Sequence, residues 1–299
     1  MLLSARSGYL LAISIIALVW GIVPMAAAQP RDRVPSAVCG SPLSDDELET
    51  VARLSDISDV TGDTLQRLDI AVERHHSITA ILARHRDRRG LFGLGLDAVE
   101  RAAVMPLQHA PTGFADRDYA HAISLELLRR YLGNLHAEFT GGSVEPHWER
   151  FFELASSCDI SGARAAMAGY NAHLSVDLAY SVAAVRSVPG NAPDYAEIVA
   201  AIANAGDLII DRTKQVYDAD LGPLWHFYFV GEGLDLLAGK GVATRPLLVL
   251  ADLGANVVIF GNGLALEDPA LHDRTAAEIG ALHAAADTAF TVLAQLHAL

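Results

Sequence analysis

Apolar residues recur along this chain with the spacing of an α-helix and not with the alternation of a strand. In residues 61–88, for example, Leu65, Leu68 and Val72 follow one another at intervals of three and four, which places them on one helical face. Gly90 then supplies a residue typical of a helix end. No run of alternating Val, Ile and Thr with turn residues indicates a sheet. The pattern therefore predicts an all-α fold.

The same start and stop signals divide residues 44–299 into a single globular bundle of about eight to ten helices. The predicted helices are 44–57, 61–88, 91–107, 116–139, 147–157, 161–188, 195–217, 224–237, 246–266 and 269–299. A domain of this length is near the upper size of a single core, so a division into two lobes near residue 190 is the alternative.

The first 28 residues have the pattern of a secretory signal peptide. An arginine precedes an apolar run at 9–23, and small residues at 26–28 supply a cleavage site before Gln29. The run is shorter than the roughly 20 apolar residues that a spanning helix needs. We expect export, to the periplasm or the medium, with an N-terminal membrane anchor as the alternative. Residues 29–43 are predicted to form an extended leader.

The charge balance narrows the range of partners. The 36 acidic residues outnumber the 22 Lys and Arg, which gives a formal net charge of −14. Such a surface repels phosphate backbones, so we expect no nucleic-acid partner.

Residues 246–266 are long enough to cross a membrane, but Asp252, Asn256 and Asn262 interrupt them. The sequence therefore predicts a central helix buried on all sides and no stable membrane span after cleavage.

Only two cysteines are present, Cys39 and Cys158, and both follow the predicted cleavage site. An even number in an exported chain predicts one disulfide, which would tie the leader to the middle of the fold. The alternative is a buried Cys158 with a free Cys39. Two thiolates are too few for a structural zinc site of the cysteine type.

Polar residues stand together in the otherwise apolar helix predicted at 161–188. His173 and Asp177 are four positions apart and share a helical face, and Asn171 lies just before them. Because buried polar groups need partners, we expect His173 and Asp177 to be hydrogen-bonded, with Asn171 pointing into the same cavity. Three roles fit the spacing: a structural polar tie, a catalytic site with His173 as general base, or ligation of a divalent metal such as zinc.

Other histidines supply candidate partners for a metal bound at this pair. His121, His136 and His147 are the candidate additional ligands. His283 and Asp287 repeat the four-residue spacing in the last helix, where the surrounding alanines predict a solvent-side pair.

Aromatic residues supply candidate contacts for a small-molecule or lipid-like ligand. Trp148 and Tyr170 lie near the polar helix in sequence, and Trp225 and His226 belong to the aromatic run at 225–229. Packing in the core is the predicted role of this run, with the wall of an apolar ligand pocket as the alternative.

The sequence N-A-H-L-S-V-D-L at 171–178 resembles the motif of the bacterial domain-of-unknown-function 5995 family. The resemblance covers roughly residues 90–190, and it rests on 114–116, Tyr131, Leu132, Trp148 and 168–178. It implies an all-α fold with Asn171, His173 and Asp177 as the shared polar core. The chain departs from that pattern at His147, where an apolar or small residue is expected, so the resemblance weighs against a metal site that uses His147.

The H-x3-D spacing of His173 and Asp177 also resembles, more loosely, that of the all-α zinc phospholipase C and P1-nuclease group, whose members are exported. Those proteins use a free N-terminal Trp as a ligand, whereas cleavage here would leave Gln29.

Taken together, the sequence predicts an exported hydrolase-like enzyme for a small or lipid-like substrate, with Asn171, His173 and Asp177 as its site. The alternative is a non-catalytic binding protein for an apolar ligand, in which this helix is a structural tie.

Overall fold

The computed structural model describes residues 37–222 and 244–295, with side chains in the second range from residue 256 onward. These residues form only helices, turns and irregular segments, which confirms the predicted all-α fold. The α-helices are α1 (Asp45–Ser55), α2 (Thr64–His85), α3 (Leu91–Val99), α4 (Met105–His109), α5 (Arg117–Thr140), α6 (Pro146–Ser156), α7 (Gly162–Asn171), α8 (Leu178–Ala184), α9 (Ala192–Asn204), α10 (Gly206–Tyr217), α11 (Thr244–Glu267) and α12 (His272–Gln295).

Capping side chains explain where the first helices begin. At α1, the Ser44 side chain accepts a hydrogen bond from the Glu47 backbone, and the Glu47 carboxylate accepts one from the Ser44 backbone at 2.9 Å. Asp63 and Gln66 form the same reciprocal pair at α2. These contacts satisfy backbone donors that have no partner within the helix, so local sequence sets both starting points.

Two long helices contain a π turn that the sequence analysis did not predict. Residues 100–104 form a π segment between α3 and α4, and residues 172–177 form another between α7 and α8. In the second, the Leu178 N–H bonds to the carbonyl of His173, five residues earlier. Because a π turn is wider than an α turn, side chains within it point differently from those of a regular helix. The segment therefore changes the direction of His173 and Asp177.

Two apolar clusters form the core of the described residues. The first contains buried rings from α3, α5, α6 and α7, among them Phe92, Tyr131, Trp148, Phe151 and Tyr170. The second is built by α5, α8, α9, α11 and α12, with Ile123, Val182, Tyr195, Phe260 and Ile279 among its members. The π segment at 172–177 contributes to both clusters, so its polar residues lie where the two meet.

The predicted helix at 195–217 is wrong as a single element. The chain turns at Ala205 and begins a new helix at Gly206, which separates α9 from α10. Glycine weakens a helix interior, and Gly206 stands at the start of the new helix. The described residues belong to one compact unit, which includes the helices on both sides of residue 190.

Helix α11 differs from the predicted helix that is buried on all sides. One face packs on α8 and α9, where Asn256 accepts a hydrogen bond from the Tyr195 hydroxyl at 3.0 Å. Val257 and Val258 point away from this face and are exposed. Among the described residues, no helix is both long enough and apolar enough to cross a membrane.

A disulfide joins Cys39 to Cys158 and so links the chain before α1 to the connection between α6 and α7. Backbone hydrogen bonds hold the same segment: the Val38 N–H donates to Asp87, and the Ser41 N–H donates to the carbonyl of His85. The predicted signal peptide at 1–28, the leader up to residue 36 and the predicted helix at 224–237 lie outside the described residues.

Candidate functional site

The centre of the candidate site is the carboxylate of Asp177, which is fully buried at the end of the π segment. Its Oδ1 accepts a hydrogen bond from His147 Nε2 at 3.0 Å, and its Oδ2 accepts one from Trp148 Nε1 at 2.9 Å. Both donors belong to the first turn of α6, which begins at Pro146. The positive end of that helix dipole also favours a carboxylate at this place.

The environment of Asp177 keeps its carboxylate ionised. Burial by itself raises the pKa of Asp177, but the hydrogen bond from His147 and the nearby charges of His173 and His147 outweigh burial and lower this pKa below its ordinary value. The result is a negative charge inside the protein that is fixed by two donors.

His173 is not hydrogen-bonded to Asp177, contrary to the prediction. The distance from His173 Nδ1 to Asp177 Oδ2 is 3.7 Å, which is too long for a hydrogen bond. Two causes combine: the π turn changes the relative direction of the two side chains, and the first turn of α6 supplies closer donors. The His173 ring packs against Phe92 with centroids 4.9 Å apart, and its Nδ1 has no hydrogen-bond partner among the residues that the structure describes.

Asn171 does not share a cavity with Asp177, which also differs from the prediction. Its Nδ2 donates to the carbonyl of His283 at 2.9 Å, and its Oδ1 accepts from the Ser175 hydroxyl at 2.7 Å. Both ends of the amide are therefore used within the protein. Asn171 ties α7 to α12, and this contact supports a structural role.

Glu145 and His147 complete the site at its outer side. Glu145 Oε2 lies 3.4 Å from His147 Nε2. Asn134 on α5 holds Glu145 twice, because its Nδ2 donates to Glu145 Oε2 at 3.0 Å and its Oδ1 accepts from the Glu145 backbone at 2.8 Å. The exposed fraction of the side chain falls from 49% at Glu145 to 13% at His147 and 0% at Asp177. The site thus leads from the surface into the core.

Helix α12 places His283 beside His147, with ring centroids 6.2 Å apart. Burial and the neighbouring His147 charge lower the pKa of His283, while Asp287 opposes that change. Asp287 accepts hydrogen bonds from Arg150 and Arg164. The prediction of a solvent-side pair is therefore wrong, because α12 packs with this face toward α6 and α7.

The structure does not bring the other predicted metal ligands to Asp177. His121 Nε2 donates to the carbonyl of Gln108 at 3.2 Å, and His136 Nδ1 donates to the carbonyl of Ala52 at 2.8 Å. In the described part of the chain, the side chains with ligand atoms close enough to share one ion are instead Glu145, His147 and Asp177, all within 4.8 Å of one another. The family resemblance weighed against a metal site that uses His147, yet His147 is one of the three side chains in this group.

The predicted ligand-binding residues have different locations. Trp148 is fully buried and serves as a donor to Asp177. Tyr170 is buried in the first apolar cluster, against Phe92 and over Gly95, where a Cβ would collide with its hydroxyl. Trp225 and His226 lie outside the described residues.

The sequence analysis missed a second buried pair, His75 and Glu100. His75 Nδ1 lies 2.6 Å from Glu100 Oε2, and both side chains are buried. Burial by itself lowers the pKa of His75. The charge of Glu100 and the hydrogen bond between the two side chains have a larger, opposite effect, so the pKa of His75 lies above its ordinary value. The two residues are 25 positions apart on different helices, so no local pattern marks them.

Comparison with known proteins identifies a family. The model of a family described as "Family of unknown function (DUF5995)" matches residues 68–231, which is more than half of the chain. No curated protein matches, and no solved structure matches. The matched range contains α3 to α10 and every residue of the Glu145, His147 and Asp177 group. This protein therefore belongs to the DUF5995 family.

Proposed function

We propose that the protein is a hydrolase that activates water at Glu145, His147 and Asp177. The observation that carries this proposal is the position of His147 Nε2, which faces two carboxylate oxygens at 3.0 and 3.4 Å. One of these carboxylates is buried and the other reaches solvent. Water can therefore approach a polar centre whose inner side is fixed.

The arrangement supplies what water activation requires. As a water molecule loses a proton, positive charge develops on the group that promotes the loss, and a neighbouring carboxylate stabilises that charge. Asp177 is suited to this role because its pKa is lowered and its position is set by Trp148. His173, the base expected from the sequence, is enclosed by aromatic rings, so the proposal assigns water activation to the group of Glu145, His147 and Asp177.

The proposed substrate is an uncharged ester of a small or lipid-like molecule. Two carboxylates at the site and a formal net charge of −14 disfavour an anionic substrate.

The test is an esterase assay with p-nitrophenyl esters of increasing acyl length. We expect turnover by the wild-type protein and a loss of about 10²- to 10⁴-fold in kcat/KM for His147→Ala, the usual contribution of a group that assists proton transfer. The matched control is His109→Ala, because His109 forms a similar pair with Asp69 at 2.8 Å on the surface. No turnover of any ester, or equal rates in His147→Ala and wild type, would refute the proposal.

A non-catalytic binding protein for an apolar ligand is the second candidate. It is favoured by the enclosed position of Asn171, whose amide bonds only within the protein. Binding of a non-hydrolysable fatty-acid analogue without turnover of the corresponding ester would support this candidate over the hydrolase.

A further inference from the structure

We propose that one divalent metal ion, zinc or manganese, binds between Glu145, His147 and Asp177. The catalytic role of this ion rests on the proposed hydrolase function, whereas its binding is tested without any substrate. These ligands differ from the set that the sequence favoured: Asp177 is kept, Glu145 is new, and His147 is the histidine that the family resemblance had weighed against.

Two of the distances between ligand atoms are close to those around a small ion. Zinc bonds to nitrogen and carboxylate oxygen are about 2.0–2.2 Å long, so neighbouring ligands in a tetrahedral site are about 3.3–3.5 Å apart. His147 Nε2 lies 3.4 Å from Glu145 Oε2 and 3.0 Å from Asp177 Oδ1. All three ligand atoms lie within 4.8 Å of one another. Small side-chain adjustments would complete the site.

Each carboxylate is already oriented by another side chain. Trp148 Nε1 binds Asp177 Oδ2 and leaves Oδ1 directed at His147, while Asn134 holds both the side chain and the backbone of Glu145. Outer-shell contacts of this kind fix the ligands of protein metal sites. A surface ion pair formed only by attraction between its own charges would not need them.

His173 provides an independent indication of a ligand. Its side chain is 5% exposed, and its Nδ1 faces Asp177 Oδ2 from 3.7 Å without a hydrogen-bond partner in the described residues. An unsatisfied buried polar atom is costly. The unused nitrogen of His173 lies beside a carboxylate of the proposed site, where an outer-shell contact to a metal ligand would form.

The donor set indicates the class of metal. One imidazole nitrogen and two carboxylate oxygens suit zinc or manganese, whereas soft ions such as copper(I) prefer thiolate or thioether ligands. Three protein ligands would leave a coordination position for water, as in catalytic zinc sites. Because Glu145 is 49% exposed, that position would lie toward solvent. A bound ion supplies water with a lowered pKa.

The binding test uses the full exported chain without a histidine tag, stripped with chelator and titrated with Zn²⁺ by calorimetry. We expect one equivalent of zinc, and a visible absorption band when cobalt(II) replaces it. Glu145→Gln should weaken zinc binding at least tenfold, and Asn134→Ala should weaken it about 10- to 100-fold. His109→Gln, which alters the surface pair with Asp69, should bind zinc like the wild type.

Several results would overturn the inference. Absence of a stoichiometric zinc site would do so, as would equal zinc affinity in wild type, Glu145→Gln and His147→Gln, which would indicate adventitious binding by surface histidines. Glu145 is half exposed, so its variant should fold, and far-UV circular dichroism checks this. Esterase activity that persists after complete metal removal would refute the metal's role but leave the hydrolase proposal standing. Zinc binding without any turnover would refute the hydrolase proposal alone.

Discussion

Replacing both Cys39 and Cys158 with serine is expected to lower the free energy of unfolding by about 5 kcal/mol. The disulfide joins positions separated by 119 residues, and the loop-closure relation gives about 5 kcal/mol for a loop of that length. The physical reason is that the bond removes many conformations from the unfolded chain. Since a typical domain has only about 5–15 kcal/mol of stability, this loss would be a large part of the total.

Urea unfolding followed by far-UV circular dichroism measures this loss. The oxidised wild type, the reduced wild type and the double serine variant are compared, and the last two should unfold at similar, lower urea concentrations. Ser41→Ala is the control, because it removes only an exposed contact to His85 at 2.9 Å and should cost less than about 1 kcal/mol. If the reduced protein and the oxidised protein have the same midpoint, the unfolded-chain argument fails for this bond.

Three further predictions concern buried polar groups. His75→Leu should lower the free energy of unfolding in urea by about 3–5 kcal/mol, because it leaves Glu100 buried without its partner. Adding Glu100→Gln to this variant should restore part of the loss. A double variant that loses the sum of the two single losses would contradict this. The pKa of Asp177 is lowered from its ordinary value of 3.8, so the ionised carboxylate should stabilise the fold above pH 3.8, and this stability should be lost as the pH falls through the folded-state pKa. The melting temperature of Asp177→Asn should therefore fall less steeply with acidification than that of the wild type. Parallel plots of melting temperature against pH would contradict this. Trp148→Phe removes the hydrogen bond to the Asp177 carboxylate, so it should lower the free energy of unfolding by about 1.5–3 kcal/mol and reduce esterase activity. Unchanged stability and unchanged rate would contradict the importance of this hydrogen bond.

The starts of the first helices follow from local sequence, because capping side chains act within three residues. Ser44 and Glu47 mark the start of α1, and the observed helix begins at Asp45. The helix between Pro146 and Ser156 was predicted as 147–157 because proline is common in the first turn of a helix. The break at Ala205 was missed because a single glycine in an apolar run does not by itself require a new helix.

The candidate site was only partly predictable, since its members come from distant parts of the chain. The polar residues at 171–177 stand out in an apolar helix, and Asp177 does lie at the centre of the observed group. Its hydrogen-bond partners, however, are 30 and 29 positions away on α6. The π turn that directs the Asp177 side chain toward them is a property of packing between two apolar clusters, and the sequence period around it is that of an ordinary helix.

The sequence by itself determined the helical fold class, the family and the position of one buried carboxylate, because periodicity, capping and a polar residue in an apolar helix are local signals. Tertiary structure alone decided that His147, and not His173, is the hydrogen-bonded partner of Asp177, and that Glu145 joins them. It also paired His75 with Glu100 across 25 positions. Such choices depend on which helices pack together, and packing energy depends on surfaces that no single segment of sequence contains.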